Sequence, residues 1–540
     1  MTRCEFYSYV STKTGADPVK TVFVCVPDEN ARSLVDVEAF VRRSGWVEQV
    51  ERDASVLVAP VVPKGWESEP DDCLMDLYCQ TKASFVAPSG ESISGRFGKL
   101  WAWEVFVYVV GYGEGAVFAA DALVAHPGFA AATILVDGGA HSLVSSELPS
   151  EHWFVGDPND YSLRNRDVPV AVWLMGEGGD VDAFRAYLCE VNGALEPEMS
   201  DGDLCLGTRA WVNRENPACC VIETPGLTGL DPRIAELGMG EFFNRILRWK
   251  NAPDGTLALH VTREEFFKDG RYRHGIVQSD KNDYHYAVYL PEGMKPVDAR
   301  GLPLVISLHG RGEPTWIFSQ KNGWEDLADE TRAFAVLLPD SPHNVWLMGR
   351  DANALKLIVE SVMMDYDFDE GRVYLTGFSN GALFTYQLGT TFPELFAAAS
   401  PWNSPGETAL SGLGDDEYAY CPSFETGGVE LPFWISYGDS DDKAPVAEER
   451  ELVPLLKGNG CSAGCFESLE AESSYPVDKG YVEGDRLDTR LYLNAEGRAR
   501  VGVTVVKNMP HGAIADEARA AWEFMSRFRR SAESLEVEES

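Results

Sequence analysis

The chain has 540 residues, a formal charge of −39 and 11 cysteines. So large a negative surplus argues against grip on a nucleic-acid backbone or an anionic membrane surface, and the length calls for more than one domain. No apolar run approaches the roughly 20 residues that cross a bilayer.

The chain opens with Met1-Thr2-Arg3-Cys4-Glu5-Phe6 and enters a predicted strand almost at once. It shows no apolar core of a secretory signal, so a cytoplasmic location is expected. Further strands are predicted at 20–27, 54–60, 104–110, 132–136, 170–174 and 219–222, with a closing helix from Pro232 to Trp249. Short β-branched runs separated by helical or loop segments are the pattern of a mostly parallel sheet flanked by helices. Residues 1–255 therefore read as one α/β domain, ending at the turn Asn251-Ala252-Pro253-Asp254-Gly255, and residues 256–540 as a second.

The second domain starts with lead-in strands at 271–275 and 284–290. The next run, Arg372-Val373-Tyr374-Leu375-Thr376, leads into Gly377-Phe378-Ser379-Asn380-Gly381 and then an apolar helix. G-x-S-x-G between a strand and a helix is the setting of a nucleophile elbow, which raises the Ser379 hydroxyl above the sheet beside a helix N-terminus. A serine needs a base, and the base an orienting acid, in the chain order Ser, acid, His. His511 is the one histidine after Ser379, on a loop past the run 501–506. The acid belongs after the strand 431–437, where Asp439, Asp441 and Asp442 compete and pattern does not choose among them. Two backbone N–H groups should hold an oxyanion: that of Asn380, and that of Arg311 after Leu308-His309-Gly310. His309 is read as a brace of that loop or a pocket residue. Segments 401–430 and 442–486 read as lid-like insertions. Trp402, Asn403, Tyr418 and Tyr420 in the first, and Trp346 after the strand ending at Pro339-Asp340, are candidate pocket residues. A hairpin is expected from Thr489–Leu493 and Arg500–Thr504.

Residues 285–530 resemble the esterase group of the α/β-hydrolase superfamily that includes poly(3-hydroxybutyrate) depolymerases and feruloyl esterases. The resemblance is carried by Leu302–Gly310, by Trp324–Asp329 with Phe334–Asp340, by Arg372–Gly381 and by Phe392–Ala398. It implies an acid three residues past a glycine, which in Gly438-Asp439-Ser440-Asp441 is Asp441, although Tyr437 stands where the family has histidine.

The first half repeats the frame of the second. Val109–Ala116 lines up with Leu375–Ala382, His126–Ala132 with Thr391–Ala397, Trp173–Asp180 with Ile435–Asp442, and Glu223–Gly226 with Asn508–Gly512. The nucleophile slot then holds Gly113, the acid slot Gly179, and the base slot has no histidine. The chain is thus expected to contain tandem α/β-hydrolase-like domains, the first a degenerate copy without the triad, serving as scaffold or as a wall of the substrate cleft.

The implied activity is hydrolysis of small or aromatic acyl esters, feruloyl-type or short hydroxyalkanoate, by Ser379, Asp441 and His511 through an acyl-enzyme. A serine peptidase of the same fold and a non-catalytic binding protein are the competing readings. No cofactor, metal, nucleic acid or membrane partner is expected beyond the small ester, and homo-oligomerisation stays open. Cysteines in core strands favour reduced thiols, while Cys461 and Cys465 leave a local disulfide open.

Overall fold

The computed structural model describes residues 5–14, 18–70, 72–82, 101–150, 164–176, 181–194, 198–199, 207–249, 258–268, 270–280, 282–342, 344–404, 426–439, 441, 449–471, 487–507, 509, 511–531 and 533–539. Gly179, Tyr418, Tyr420, Asp442, residues 405–425 of the first expected insertion, and 442–448 and 472–486 of the second lie outside them. The chain forms two compact units that divide between Glu265 and Phe266. The expected border at 255/256 falls earlier, because the strand Ala258–Val261 pairs back onto Ile246–Trp249 of the first unit.

Unit 1 contains β1 (Phe6–Val10), β2 (Pro18–Cys25), β3 (Val56–Pro60), β4 (Trp101–Tyr112), β5 (Ala132–Val136), β6 (Ala171–Met175), β7 (Glu198–Met199), β8 (Arg209–Val212), β9 (Cys220–Thr224), β10 (Ile246–Trp249) and β11 (Ala258–Val261). Its main sheet has the order β1-β3-β2-β4-β5-β6-β9-β8-β7. The pairings from β3 through β9 are parallel, and the outer ones are antiparallel.

Unit 2 contains β12 (Tyr272–Ser279), β13 (Asn282–Tyr289), β14 (Leu304–Leu308), β15 (Ala335–Pro339), β16 (Val373–Phe378), β17 (Ala398–Trp402), β18 (Phe433–Gly438), β19 (Cys461–Ala471), β20 (Leu487–Asn494), β21 (Ala499–Val506), β22 (Phe528–Arg530) and β23 (Val537–Glu539). The main sheet runs β12-β13-β15-β14-β16-β17-β18-β21-β20-β19, parallel from β15 through β21. Without the edge strand β12, its order and its parallel and antiparallel pairings are those of unit 1. Both units are of the α/β class.

The central strands are buried along their whole length, as a sheet covered on both faces requires. Successive residues serve opposite cores. Ile306, Leu337 and Leu375 pack on one side with Ile358 and Val362, while Val305, Val336 and Tyr374 pack on the other with Trp324 and Phe524.

The likeness of the units extends to single interactions. At the end of β4, Gly113 turns the chain at φ 54°, ψ −122° into the helix Glu114–Ala125; at the end of β16, Ser379 does so at φ 54°, ψ −116° into Asn380–Thr391. A side chain at Gly115 would put Cβ 2.3 Å from the Cys25 carbonyl oxygen, and one at Gly381 would put it 2.4 Å from that of Leu308. Tyr108 donates its hydroxyl to Ile246 O, and Tyr374 to Phe528 O, each at 2.8 Å. Arg248 and Arg530 are both buried and donate from Nε to Ala130 O and Phe396 O, each at 2.7 Å.

These contacts correct two expectations. The closing helix of unit 1 ends at Phe243 and is followed by β10, because Arg248 must reach inward to backbone carbonyls; unit 2 likewise has a helix Ala515–Met525 and then β22. The second block of the repeat is out by one residue, since Ala132 pairs with Tyr108 as Ala398 pairs with Tyr374. The predicted hairpin is present as β20 and β21. The strand before the first expected insertion runs from Ala398 to Trp402, so Trp402 belongs to the sheet and not to the insertion.

Arg530 satisfies the carbonyls of Phe396, Glu430 and Leu535. Arg530→Met should therefore strand all three and lower stability by about 3 kcal/mol or more. Arg529→Met, which removes a half-exposed partner of Asp369, should cost about 1 kcal/mol or less. Urea unfolding of the two variants against the parent checks the contrast.

Candidate active site

The site lies at the C-terminal ends of the parallel strands, where such sheets place their chemistry. Gly377 and Gly381 are imposed by packing. A Cβ on Gly377 would lie 2.5 Å from Gly381 O, and one on Gly381 would strike the carbonyls of both Leu308 and His309. The turn at Ser379 is fixed by its N–H, which donates to Trp402 O at 3.0 Å. The Asn380 N–H opens the helix and has no acceptor one turn back.

His511 stands between the serine and a carboxylate. Its Nε2 is 2.8 Å from Ser379 Oγ and its Nδ1 is 2.7 Å from Asp441 Oδ2. The Asp441 carboxylate is fully enclosed, and the imidazole keeps a solvent-open edge. With Nδ1–H donating to the carboxylate, Nε2 is left to accept the serine proton. The Phe378 ring packs against the imidazole at 5.0 Å. Of the competing acids, Asp439 is exposed, its N–H donating to Val506 O. The base loop presses on the acid strand so closely that a Cβ on Gly438 would lie 2.0 Å from Met509 O.

The loop after β14 turns at Gly310-Arg311-Gly312. Gly312 has φ 72°, its N–H donates to Asn344 O at 2.6 Å, and Arg311 is exposed at the tip. His309 is fully buried beneath it. Its Nε2 accepts the Ser341 N–H at 3.1 Å, so Nδ1 carries the proton and donates to Gly310 O at 2.8 Å. Burial pushes the His309 pKa below its ordinary value and keeps the ring neutral. Beneath the same loop, Lys321 pairs with the buried Glu313 and sits 5.4 Å from the Phe378 ring. Desolvation pushes the Lys321 pKa down, opposed by the Glu313 charge.

Burial corrects the expectation that His309, Trp346, Trp402 and Asn403 line an open pocket: none is more than 2% exposed. Trp402 is a core residue, stacked on Trp324 at 5.9 Å. Trp346 is held by the Asn380 side chain, which accepts its N–H at 2.7 Å and donates to its carbonyl at 3.1 Å, and its indole N–H reaches His309 O. Asn403 bridges Gly438 and Gly512. Sequence reasoning used only the backbone of Asn380 and missed its side-chain clamp and the Glu313–Lys321 pair. A sequence gives no sign of contacts between loops so far apart along the chain.

Among the described residues no group of three His, Cys, Asp or Glu side chains could hold a metal ion, and no helix is long and apolar enough to cross a membrane. Cys461 and Cys465 are both free thiols, the first half-buried and the second exposed.

The family profile described as Esterase PHB depolymerase matches residues 284–404. The poly(3-hydroxyalkanoate) depolymerase C of Paucimonas lemoignei is 30% identical over 265 residues, covering 43% of this chain and 59% of that protein. The bifunctional acetylxylan esterase/xylanase XynS20E of Neocallimastix patriciarum is 25% identical over 259 residues, covering 46% of this chain and 34% of that protein. The chain thus spans less than two thirds of the length of either relative. Among solved structures, an acetyl xylan esterase from Aspergillus awamori aligns over 47% of this chain and 99% of its own, with a TM-score of 0.37 and 16% identity. The sheet order of unit 2 is that of an α/β-hydrolase-like fold, and its residues 284–404 are similar to the Esterase PHB depolymerase family.

Proposed function

We propose that the protein is a serine carboxylic-ester hydrolase in which Ser379, His511 and Asp441 act as the catalytic triad. The observation that carries this reading is the unbroken line from Asp441 through His511 to Ser379, at 2.7 and 2.8 Å, on a turn that presents the hydroxyl at a helix N-terminus. His511 Nε2 takes the serine proton as Oγ bonds to the ester carbonyl carbon. Asp441 holds the ring orientation and stabilises the imidazolium. The N–H groups of Asn380 and Arg311 receive the negative charge on the carbonyl oxygen. As the carbon–oxygen bond to the alcohol breaks, Nε2 returns the proton to the departing oxygen. Water then repeats the path on the acyl-serine, releasing the acid and restoring the hydroxyl.

Small acyl esters, including acetyl and hydroxyacyl esters, are the proposed substrates. The names of the similar proteins support this class, since an acetylxylan esterase and a polyhydroxyalkanoate depolymerase both cleave esters. No observation favours a peptide amide.

A panel of p-nitrophenyl acetate, a feruloyl ester, an acetylated xylo-oligosaccharide and a peptide anilide tests the reading. Ester turnover should be seen and should vanish in Ser379→Ala. Asp441→Asn should lower kcat by roughly 10^4-fold with the fold intact, because the imidazole then settles in the wrong tautomer. Asp439→Asn should cost about tenfold or less, its side chain being outside the line. Full ester turnover by Ser379→Ala would remove the serine from the mechanism.

A further inference from the structure

Asn403 stands outside the line from Asp441 to Ser379, yet it touches both loops that carry the acid and the base. Its Nδ2–H donates to Gly512 O at 2.7 Å, and its Oδ1 accepts the Gly438 N–H at 2.7 Å. Its own N–H donates to Ser436 O at 2.8 Å. Gly512 directly follows His511, and Gly438 O accepts the Asp441 N–H at 3.3 Å. The residue is fully buried with φ 48°, a left-handed conformation that asparagine adopts more readily than most residues. Its planar amide supplies a donor and an acceptor at once, one for each loop.

Unit 1 offers an internal comparison. Asp137 follows β5 as Asn403 follows β17, with φ 57°, and its N–H donates to Met175 O at 2.9 Å. Its Oδ2 accepts the Gly229 N–H at 3.0 Å, on the loop past β9, as Asn403 reaches the loop past β21. An ionised carboxylate only accepts, which suits an N–H partner. The unit that carries serine and histidine presents a carbonyl there instead, and has the amide that can donate to it. The tie between this strand end and the following loop belongs to the fold, and its chemistry is matched to what each loop presents.

We propose that Asn403 is a positioning residue that locks the acid loop to the base loop and so holds the His511 ring between Asp441 and Ser379. This rests on the hydrolase reading of the site. Asn403→Gly removes both arms while allowing the positive φ. Asn403→Asp keeps the shape but turns an acceptor toward Gly512 O.

The test measures kcat and KM per titrated active site for both variants. It also records the low-field proton NMR resonance of His511 Nδ1–H, identified by its loss in His511→Gln. In Asn403→Gly, kcat should fall about a hundredfold, as expected for a misplaced catalytic group, with KM within about threefold. The resonance should vanish into solvent exchange while the circular dichroism stays that of the parent. Asn403→Asp should show the same losses, and it serves as the folded variant where Asn403→Gly gives no soluble protein. Parental kcat with an unchanged resonance in a folded variant would overturn the proposal. Absence of ester turnover by the parent itself would sink the hydrolase reading alone. The resonance then decides the positioning role by its own persistence, which overturns it, or loss, which supports it.

Discussion

The helix that leaves the elbow crosses the neighbouring strand end with no room for a side chain, and much of the site depends on that contact. Gly381 lies against the carbonyls of Leu308 and His309, and Gly115 lies in the same way against Cys25 and Val26. The crossing forces the chain to pass from strand to helix through one residue at φ 54° in both units. In unit 1 that residue is Gly113, which takes the conformation without steric penalty. In unit 2 it is Ser379, for which such a backbone costs about 1–3 kcal/mol. The strain is kept where the turn carries a hydroxyl and is absent where it does not. Everything else at the turn, from the glycine spacing to the length of the following helix, is common to the two copies.

Around the elbow, buried polar side chains do what an apolar core does elsewhere. His309, Asn380 and Asn403 are each enclosed and each ties one loop to another through backbone groups. Such groups are costly to bury unless paired, and once paired they specify one arrangement. The loop holding Arg311, the segment at Trp346 and the loops of Asp441 and His511 are therefore fixed from beneath, while the His511 ring keeps one edge open to solvent.

The parts of this architecture that were legible in the sequence are those written in local pattern. The fully buried strands read as apolar runs, G-x-S-x-G sat between a strand and a helix, and a single downstream histidine left little choice of base. The duplication was visible because the elbow is contiguous in both copies. Elements set by long-range contact were not visible. Arg248 lies at the end of the expected helix from Pro232 to Trp249, where a short strand forms instead as it reaches buried carbonyls, and Arg530 does the same in β22. Trp402 reads as a lid residue because the insertion is expected to begin at Pro401, yet the sheet pairing carries on through both residues. Asn403 read as a pocket residue because the loops it joins lie 35 and 109 residues further along the chain. The choice among three aspartates depended on how one loop turns, which composition does not encode.

The most direct measurement is mass spectrometry of the full-length protein after reaction with a fluorophosphonate, which phosphonylates an activated serine. One adduct is predicted, on the peptide that contains Ser379, with ester turnover lost in step with labelling. An adduct on a different residue, or turnover that continues after Ser379 is fully labelled, would contradict the assignment of this serine as the nucleophile.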